Sequence, residues 1–358
     1  MLLIRLCIWA LILLTPLVAF GQSEKFEMVK VSEGVYAAIR KEPPGFAVES
    51  NSIFIICDKD VVVVDAQSNV AATKEVLAAL QKLTPKPVKY VINTHWHDDH
   101  IVGNQVYADA FPGVEFIAHA NVRAYLPTTG FENRKKWHEA GLAQFVELLR
   151  DHVKKGSNLD GEALTDEERA SYLSDIALGE GYMTVPSSFQ PILPTITLED
   201  RLTLYHGGRT IDIRYLGRGH TSGDVVVYLP EEHILAAGDL VVWPVPLIGG
   251  DQSYVGDWGA TLEKLRALHA AVIIPGHGPL MHDDSYVQLL IRLMNSMKQQ
   301  TEAAAARGET LEAARKSVNL DEFRKTFAGD SRVRNALFNI YVAGPGVASA
   351  FRDASQKR

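Results

Sequence analysis

The stretch Thr94-His95-Trp96-His97-Asp98-Asp99-His100 decides how this chain is read. Three imidazoles and a candidate carboxylate ligand fall within six residues, directly after an apolar segment at 88–93 that reads as a buried strand. Imidazole nitrogen and carboxylate oxygen are the donors zinc takes in hydrolytic sites. His95 and His97, two apart, can point the same way from an extended turn, and Asp99 and His100 can then face a neighbouring position. A catalytic zinc takes about three protein ligands and keeps one position open, so this many donors ask for two adjacent ions. A loop of unrelated polar residues is the plain alternative. Three of the chain's 12 histidines in so short a run weigh against it.

Three further residues stand where apolar strands end. His220 follows the strand expected over 210–215, within Gly217-Arg218-Gly219-His220. Asp239 follows 234–237, within Ala237-Gly238-Asp239. His277 follows 272–274, within Pro275-Gly276-His277-Gly278. Glycine in each turn lets the backbone bend so that the next side chain projects into a site. Each could be an ordinary loop residue on its own; together they supply enough donors for two coordination spheres.

Working outward, residues 26–31 and 35–40 read as a hairpin around Glu33-Gly34, and 52–57 and 61–64 as a second. Val61-Val62-Val63-Val64 is apolar on both faces, which predicts a central, covered strand. Residues 69–83 carry helical spacing, and strands resume over 196–198, 201–205, 210–215, 225–229, 234–237 and 272–274. A polar helical stretch over about 131–181 interrupts the pattern, and residues 283–358 read as a helical tail with apolar spacing at Leu289, Leu290, Leu293 and Met297. That spacing suits packing on the core or on a second copy, so a homo-oligomer stays open. The class is α/β, layered, with a domain expected over 22–282.

This set of motifs resembles the metallo-β-lactamase superfamily, over roughly residues 30–285. The HxHxDH signature stands as His95-Trp96-His97-Asp98-Asp99-His100, with His220, Asp239 and His277 as its later elements. The resemblance implies a four-layer αβ/βα sandwich with the metals along one edge. It implies His95, His97 and His220 on a first ion, Asp99, His100 and His277 on a second, and Asp239 bridging, with Asp99 doubling as the catalytic carboxylate. Two divalent ions, zinc foremost, are the implied cofactor. The β-lactamase subclass with a cysteine ligand would carry it where Asp239 stands, and the subclass sharing HxHxDH usually lacks a bridging Asp there. The bridging Asp looks more like glyoxalase II, lactonases and related ester hydrolases.

Other residues take supporting roles. Asp65, ending the strand over 61–64, is placed to orient a ligand histidine from behind. Asp224 could do the same for His220 or simply brace its turn. Trp243, Tyr254 and Trp258, in and after a loop rich in Pro and Gly, are candidates to line a substrate pocket. Cys57 ends an apolar run and reads as a small buried hydrophobe.

Composition narrows the function. The chain is 47% hydrophobic, 22% charged and carries a net charge of −7, without a basic patch. Nucleic acid is therefore a poor partner and a small molecule the expected one. Residues 6–14 form a short apolar run after Arg5, broken by Thr15-Pro16, and Ala19-Phe20-Gly21 offers small residues at the positions a signal peptidase reads. Residues 1–21 are thus expected to be a cleaved leader, giving a periplasmic or secreted protein with no membrane span. Cleavage also removes Cys7, one of the two cysteines, so no internal disulfide is expected. The expected activity is attack of a metal-bound hydroxide on an ester, thioester, lactone or similar acyl bond. Cleavage of β-lactams ranks below it. A non-catalytic metal-binding or redox-associated protein is the reading from another class.

Overall fold

A computed structural model describes residues 25–356; the expected leader over 1–21 lies outside the described residues. Among the described residues, twelve strands form two sheets. The first holds β1 (Phe26–Ser32), β2 (Val35–Arg40), β3 (Ser52–Ile56), β4 (Val61–Val64), β5 (Val88–Ile92), β6 (Glu115–His119) and β7 (Ile196–Leu198), in chain order across the sheet. β1 to β4 pair antiparallel and β4 to β7 parallel. The second holds β8 (Arg201–His206), β9 (Arg209–Tyr215), β10 (Val225–Leu229), β11 (Ile234–Val242) and β12 (Val272–His277), with β11 and β12 parallel.

The helices complete four layers. α1 (Val70–Leu83), α2 (Asp98–Ile101), α3 (Asn104–Ala110) and α4 (Ala120–Tyr125) belong to the first half. α5 (Phe131–Lys136), α6 (Leu142–Lys155) and α7 (Asp166–Met183) form the stretch between β6 and β7. α8 (Val255–Arg266) precedes β12, and α9 (Ser285–Ala306), α10 (Leu311–Ser317), α11 (Asp321–Ala328), α12 (Arg332–Leu337) and α13 (Gly344–Gln356) follow it.

Side-chain alternation explains the layering. In β4, Val62 and Val64 join Ile53, Ile55, Ile211, Val225 and Val227 in the core between the sheets. Val61 and Val63 face the other way, against Val76, Leu77 and Leu80 of α1. All four valines are fully buried, as a strand covered on both faces requires. On the far side, Leu235, Ala237 and Val241 of β11 pack on Leu262, Leu265, Leu290 and Met294 of α8 and α9. Leu290, Leu293 and Met297 are buried there with Val347 and Ala350 of α13, so the apolar stripe of α9 is spent on the chain's own core. α1 starts where Asn69 accepts from the Ala72 N–H, which satisfies one of the orphan donors of its first turn. No helix among the described residues is long and apolar enough to cross a membrane.

Candidate metal centre

The strand ends of both sheets converge on one edge. Past β5, the Val225 N–H donates to the Thr94 carbonyl (2.8 Å), joining the sheets beside the histidine run. His97 then caps α2, which carries Asp99 and His100. Asp239 lies within β11 rather than in a turn after it, because β11 continues through a register shift at Gly238. Gly238 takes φ +52°, and a side chain there would meet Thr94 at 2.7 Å. Similarly, His277 is the last residue of β12, and a Cβ on the preceding Gly276 would stand 1.9 Å from Asp239 Oδ1. Both glycines exist for the space the site needs.

Seven side chains meet in two groups. His97 Nδ1 lies 3.1 Å from His95 Nε2 and 2.8 Å from His220 Nε2. Asp239 Oδ2 stands 3.5 Å from His220 Nε2 and 3.9 Å from His95 Nε2. In the second group, Asp99 Oδ2 is 3.3 Å from His100 Nε2 and 3.2 Å from His277 Nε2. Asp239 Oδ1 is 3.3 and 3.4 Å from the same two nitrogens. One carboxylate thus serves both groups, an oxygen to each. All but His97 are at most 7% exposed.

Hydrogen bonding fixes which nitrogens face inward. His220 Nδ1 donates to the Leu247 carbonyl (2.7 Å) and His277 Nδ1 to the Glu49 carbonyl (3.0 Å). His100 Nδ1 donates to Asp65 Oδ2 (2.8 Å). Asp65 in turn accepts from the Thr94 N–H (2.8 Å) and hydroxyl (2.7 Å), and that hydroxyl accepts from His95 Nδ1 (3.1 Å). His97 Nε2 faces Gln252 Oε1 at 3.4 Å. Each imidazole therefore has an outward partner for one ring proton and aims its other nitrogen inward, where a cation can take it. Asp99 Oδ2, His100 Nε2, Asp239 Oδ1 and His277 Nε2 are buried without a hydrogen bond of proper alignment. Converging lone pairs in a dry pocket repel one another unless cations sit among them. The donor set, nitrogen and carboxylate oxygen only, suits divalent zinc.

Electrostatics divide the groups the same way. Burial lowers His220 to about 3, and burial with the His100 charge holds His95 well below the usual imidazole range. Burial would lower His277 too, but Asp239 and Asp99 outweigh it and raise it to about 10. The first group is a neutral nitrogen cradle, whereas in the second the carboxylates of Asp99 and Asp239 draw positive charge onto His100 and His277, the place a cation would take.

The supporting residues sort differently. Asp65 sits behind His100, with a left-handed backbone at φ +60°. Asp224 accepts from the Thr221 N–H (2.7 Å) and hydroxyl (2.6 Å), so it braces the turn carrying His220 and touches no ligand ring. Trp258 does not line a pocket. It is fully buried on α8 with Leu262 and Leu265, its indole donating to the Leu240 carbonyl. Tyr254 stands on a cleft with Trp96 and Tyr125. Trp243 lines a smaller one beside His277, with the Arg334 guanidinium 4.8 Å over its ring.

One cavity beside the ligands has no signature in the sequence. About 580 Å³ in volume, it is bounded by Trp96, His97 and Asp98 on one side and by residues of 46–48, α5, α6 and 340–341 on the others. Asp98, between the ligands, pairs with Arg134 of α5 (2.8 Å). A further donor group, Cys57, Asp60 and His206, lies at the opposite end of the sheets. There His206 and Asp60 already satisfy each other at 2.6 Å, and burial raises the Cys57 thiol to about 11.

Comparison with known proteins places the fold in a family. A profile of the metallo-beta-lactamase superfamily matches residues 45–277. The chain is 27% identical over 238 residues to a linear primary-alkylsulfatase of a Pseudomonas species, covering 65% of this chain and 42% of that protein. It is 26% identical to a metallo-beta-lactamase type 2 of a Bacillus species, covering 65% and 68% of the two chains. The alignment thus spans less than half of the alkylsulfatase and about two thirds of the Bacillus protein. Among solved structures, a metallo-beta-lactamase from Pontibacter korlensis superposes with a TM-score of 0.51 at 20% identity, over 75% of this chain and 99% of that one. With the profile spanning more than half of the chain and the two sheets arranged as described, the chain belongs to the metallo-beta-lactamase superfamily.

Proposed function

We propose that the chain is a metal-dependent hydrolase with two ions per molecule, acting on an ester, thioester or lactone bond. The observation that carries this reading is the pair of donor groups sharing Asp239, each lined with inward lone pairs. His95, His97 and His220 would hold one ion, Asp99, His100 and His277 the other. Such a pair, zinc for choice, supplies a water nucleophile activated near neutral pH and Lewis acidity toward the scissile oxygen.

The chain's own residues set the geometry. Asp65 holds the Thr94 N–H and hydroxyl and the His100 ring together, so the ligand run keeps its shape. The Leu247 and Glu49 carbonyls fix the rings of His220 and His277. His97 lines the cavity of about 580 Å³, so a substrate seated there would bring its reacting bond to the ligand edge. A carboxylate in the bridging place, where β-lactamases of the cysteine subclass would carry a thiolate, supports ester-type bonds over β-lactams.

The match to a protein named as an alkylsulfatase supports a second reading, in which the ester is sulfuric. Turnover of acyl esters, lactones, an alkyl sulfate and nitrocefin by zinc-loaded protein tests these readings together. Acyl ester or lactone cleavage lost on metal removal is the expected outcome, and turnover of nitrocefin alone would reverse the ranking. We also propose that the protein acts after export, on the strength of residues 6–14 and Ala19-Phe20-Gly21. N-terminal sequencing of secreted or periplasmic protein should begin near Gln22, and intact chain in the cytosol would contradict it.

A further inference from the structure

The cavity beside the metal centre has walls that cleavage of a bond does not require. Its interior is formed by Phe46, Phe131, Phe145, Leu149 and Tyr341, and its rim by Trp137, Leu148, Leu159 and Ile340. The rim residues are 48%, 47%, 42% and 49% exposed. They are half of the large hydrophobic side chains that stand exposed among the described residues. Single exposed hydrophobics are ordinary, but such a concentration at one opening marks a contact surface. The polar groups of the walls are largely engaged: Tyr182 donates to the Val48 carbonyl (2.9 Å), Tyr341 to the Phe46 carbonyl, and Trp96 to Gln252 (3.3 Å). The exception is Arg134 Nη2, buried without a partner on the guanidinium that pairs with Asp98. A molecule in this cavity therefore meets polar groups beside His97 and hydrocarbon elsewhere.

We propose that the cavity seats a hydrocarbon chain of the substrate, with its ester group directed to the metal side and its far end running out over the apolar rim. A volume of about 580 Å³ lies within the usual range of ligand clefts. The open apolar rim favours a chain of variable length over a compact polar ring system. This inference rests on the hydrolase reading above and names its substrate class.

The test pairs turnover with binding. p-Nitrophenyl esters from acetate to dodecanoate are assayed with zinc-loaded protein, and n-alkyl carboxylates from butyrate to dodecanoate are titrated by calorimetry. Both kcat/KM and affinity should rise about fourfold per methylene until the cavity is filled. Ala47→Phe, which fills the cavity from its wall, and Leu148→Glu, which charges its exposed rim, should flatten both slopes. Leu173→Glu, an exposed site elsewhere, should leave them alone. Because Leu148 is on the surface, its variant keeps the test open should Ala47→Phe fail to fold. Ester turnover without dependence on chain length, together with flat carboxylate affinities, overturns the inference and leaves the hydrolase reading standing. Affinity that climbs with length, without hydrolysis of any ester, does the reverse. Absence of both overturns both.

Discussion

Replacing Asp65 by Asn separates the two ions. Asp65 accepts three hydrogen bonds at 2.7–2.8 Å, from the Thr94 N–H and hydroxyl and from His100 Nδ1. Its φ of +60° is one that asparagine tolerates, so the backbone need not move. The Asn carbonyl can keep the bond from the Thr94 N–H. Its amide nitrogen then faces His100 Nδ1, donor against donor. The ring relieves this by moving its proton to Nε2, the atom that points at Asp99 and Asp239. A protonated nitrogen cannot ligate. Changes to such supporting groups typically cost tenfold to a hundredfold in metal affinity, about 1.4–2.8 kcal/mol. The loss should fall on the Asp99–His100–His277 group and largely spare His95, His97 and His220. Zinc titration against a chromophoric competing chelator, with circular dichroism as the check on folding, reads this directly. Two affinities unchanged from wild type, or both lowered equally in a folded protein, would refute the reasoning.

Three further outcomes follow from the geometry. Gly276→Ala places a methyl group 1.9 Å from Asp239 Oδ1, so the bridging carboxylate must shift; zinc content should drop at both positions and turnover by about a hundredfold or more, while the far-ultraviolet spectrum is kept. Trp258→Ala should destabilise the fold by about 3–5 kcal/mol in chemical denaturation, with relative rates across substrates retained, because the indole is core and not pocket wall. Asp175 is buried on α7, holding the Ala47 N–H (2.8 Å), and burial raises its carboxyl to about 6. The folded state then binds this proton more tightly than the unfolded chain, so its contribution to stability falls as pH rises from about 4 to 6, by about 3 kcal/mol, and is level above. Asp175→Asn removes that dependence, and the wild-type-minus-variant difference in unfolding free energy should slope only within this window.

The sequence made the ligand run readable because its donors share one turn after one apolar strand. His220, Asp239 and His277 were readable through the glycines beside them, although β11 extends past Asp239. Leu240-Val241-Val242 is itself an apolar run, but the bulge at Gly238 that lets a strand pass through the site has no separate signal. Trp258 reads as a loop aromatic, but the structure puts it on a helix. On α8 it stands at i, i+4 and i+7 with Leu262 and Leu265, so all three share the buried stripe. The cavity beside His97 is illegible in the sequence because its walls come from residues 46–48, 131–149 and 340–341, which only the fold brings together. Sequence leaves Asp224 open between bracing and orienting; Thr221, which occupies both its oxygens, decides for bracing.

The central claim, two ions sharing Asp239, is tested most directly by elemental analysis of folded protein after saturation with zinc and removal of the excess. The geometry predicts close to two equivalents per chain, with both weakened in Asp239→Asn. A stable maximum of one equivalent, indifferent to Asp239, would contradict it.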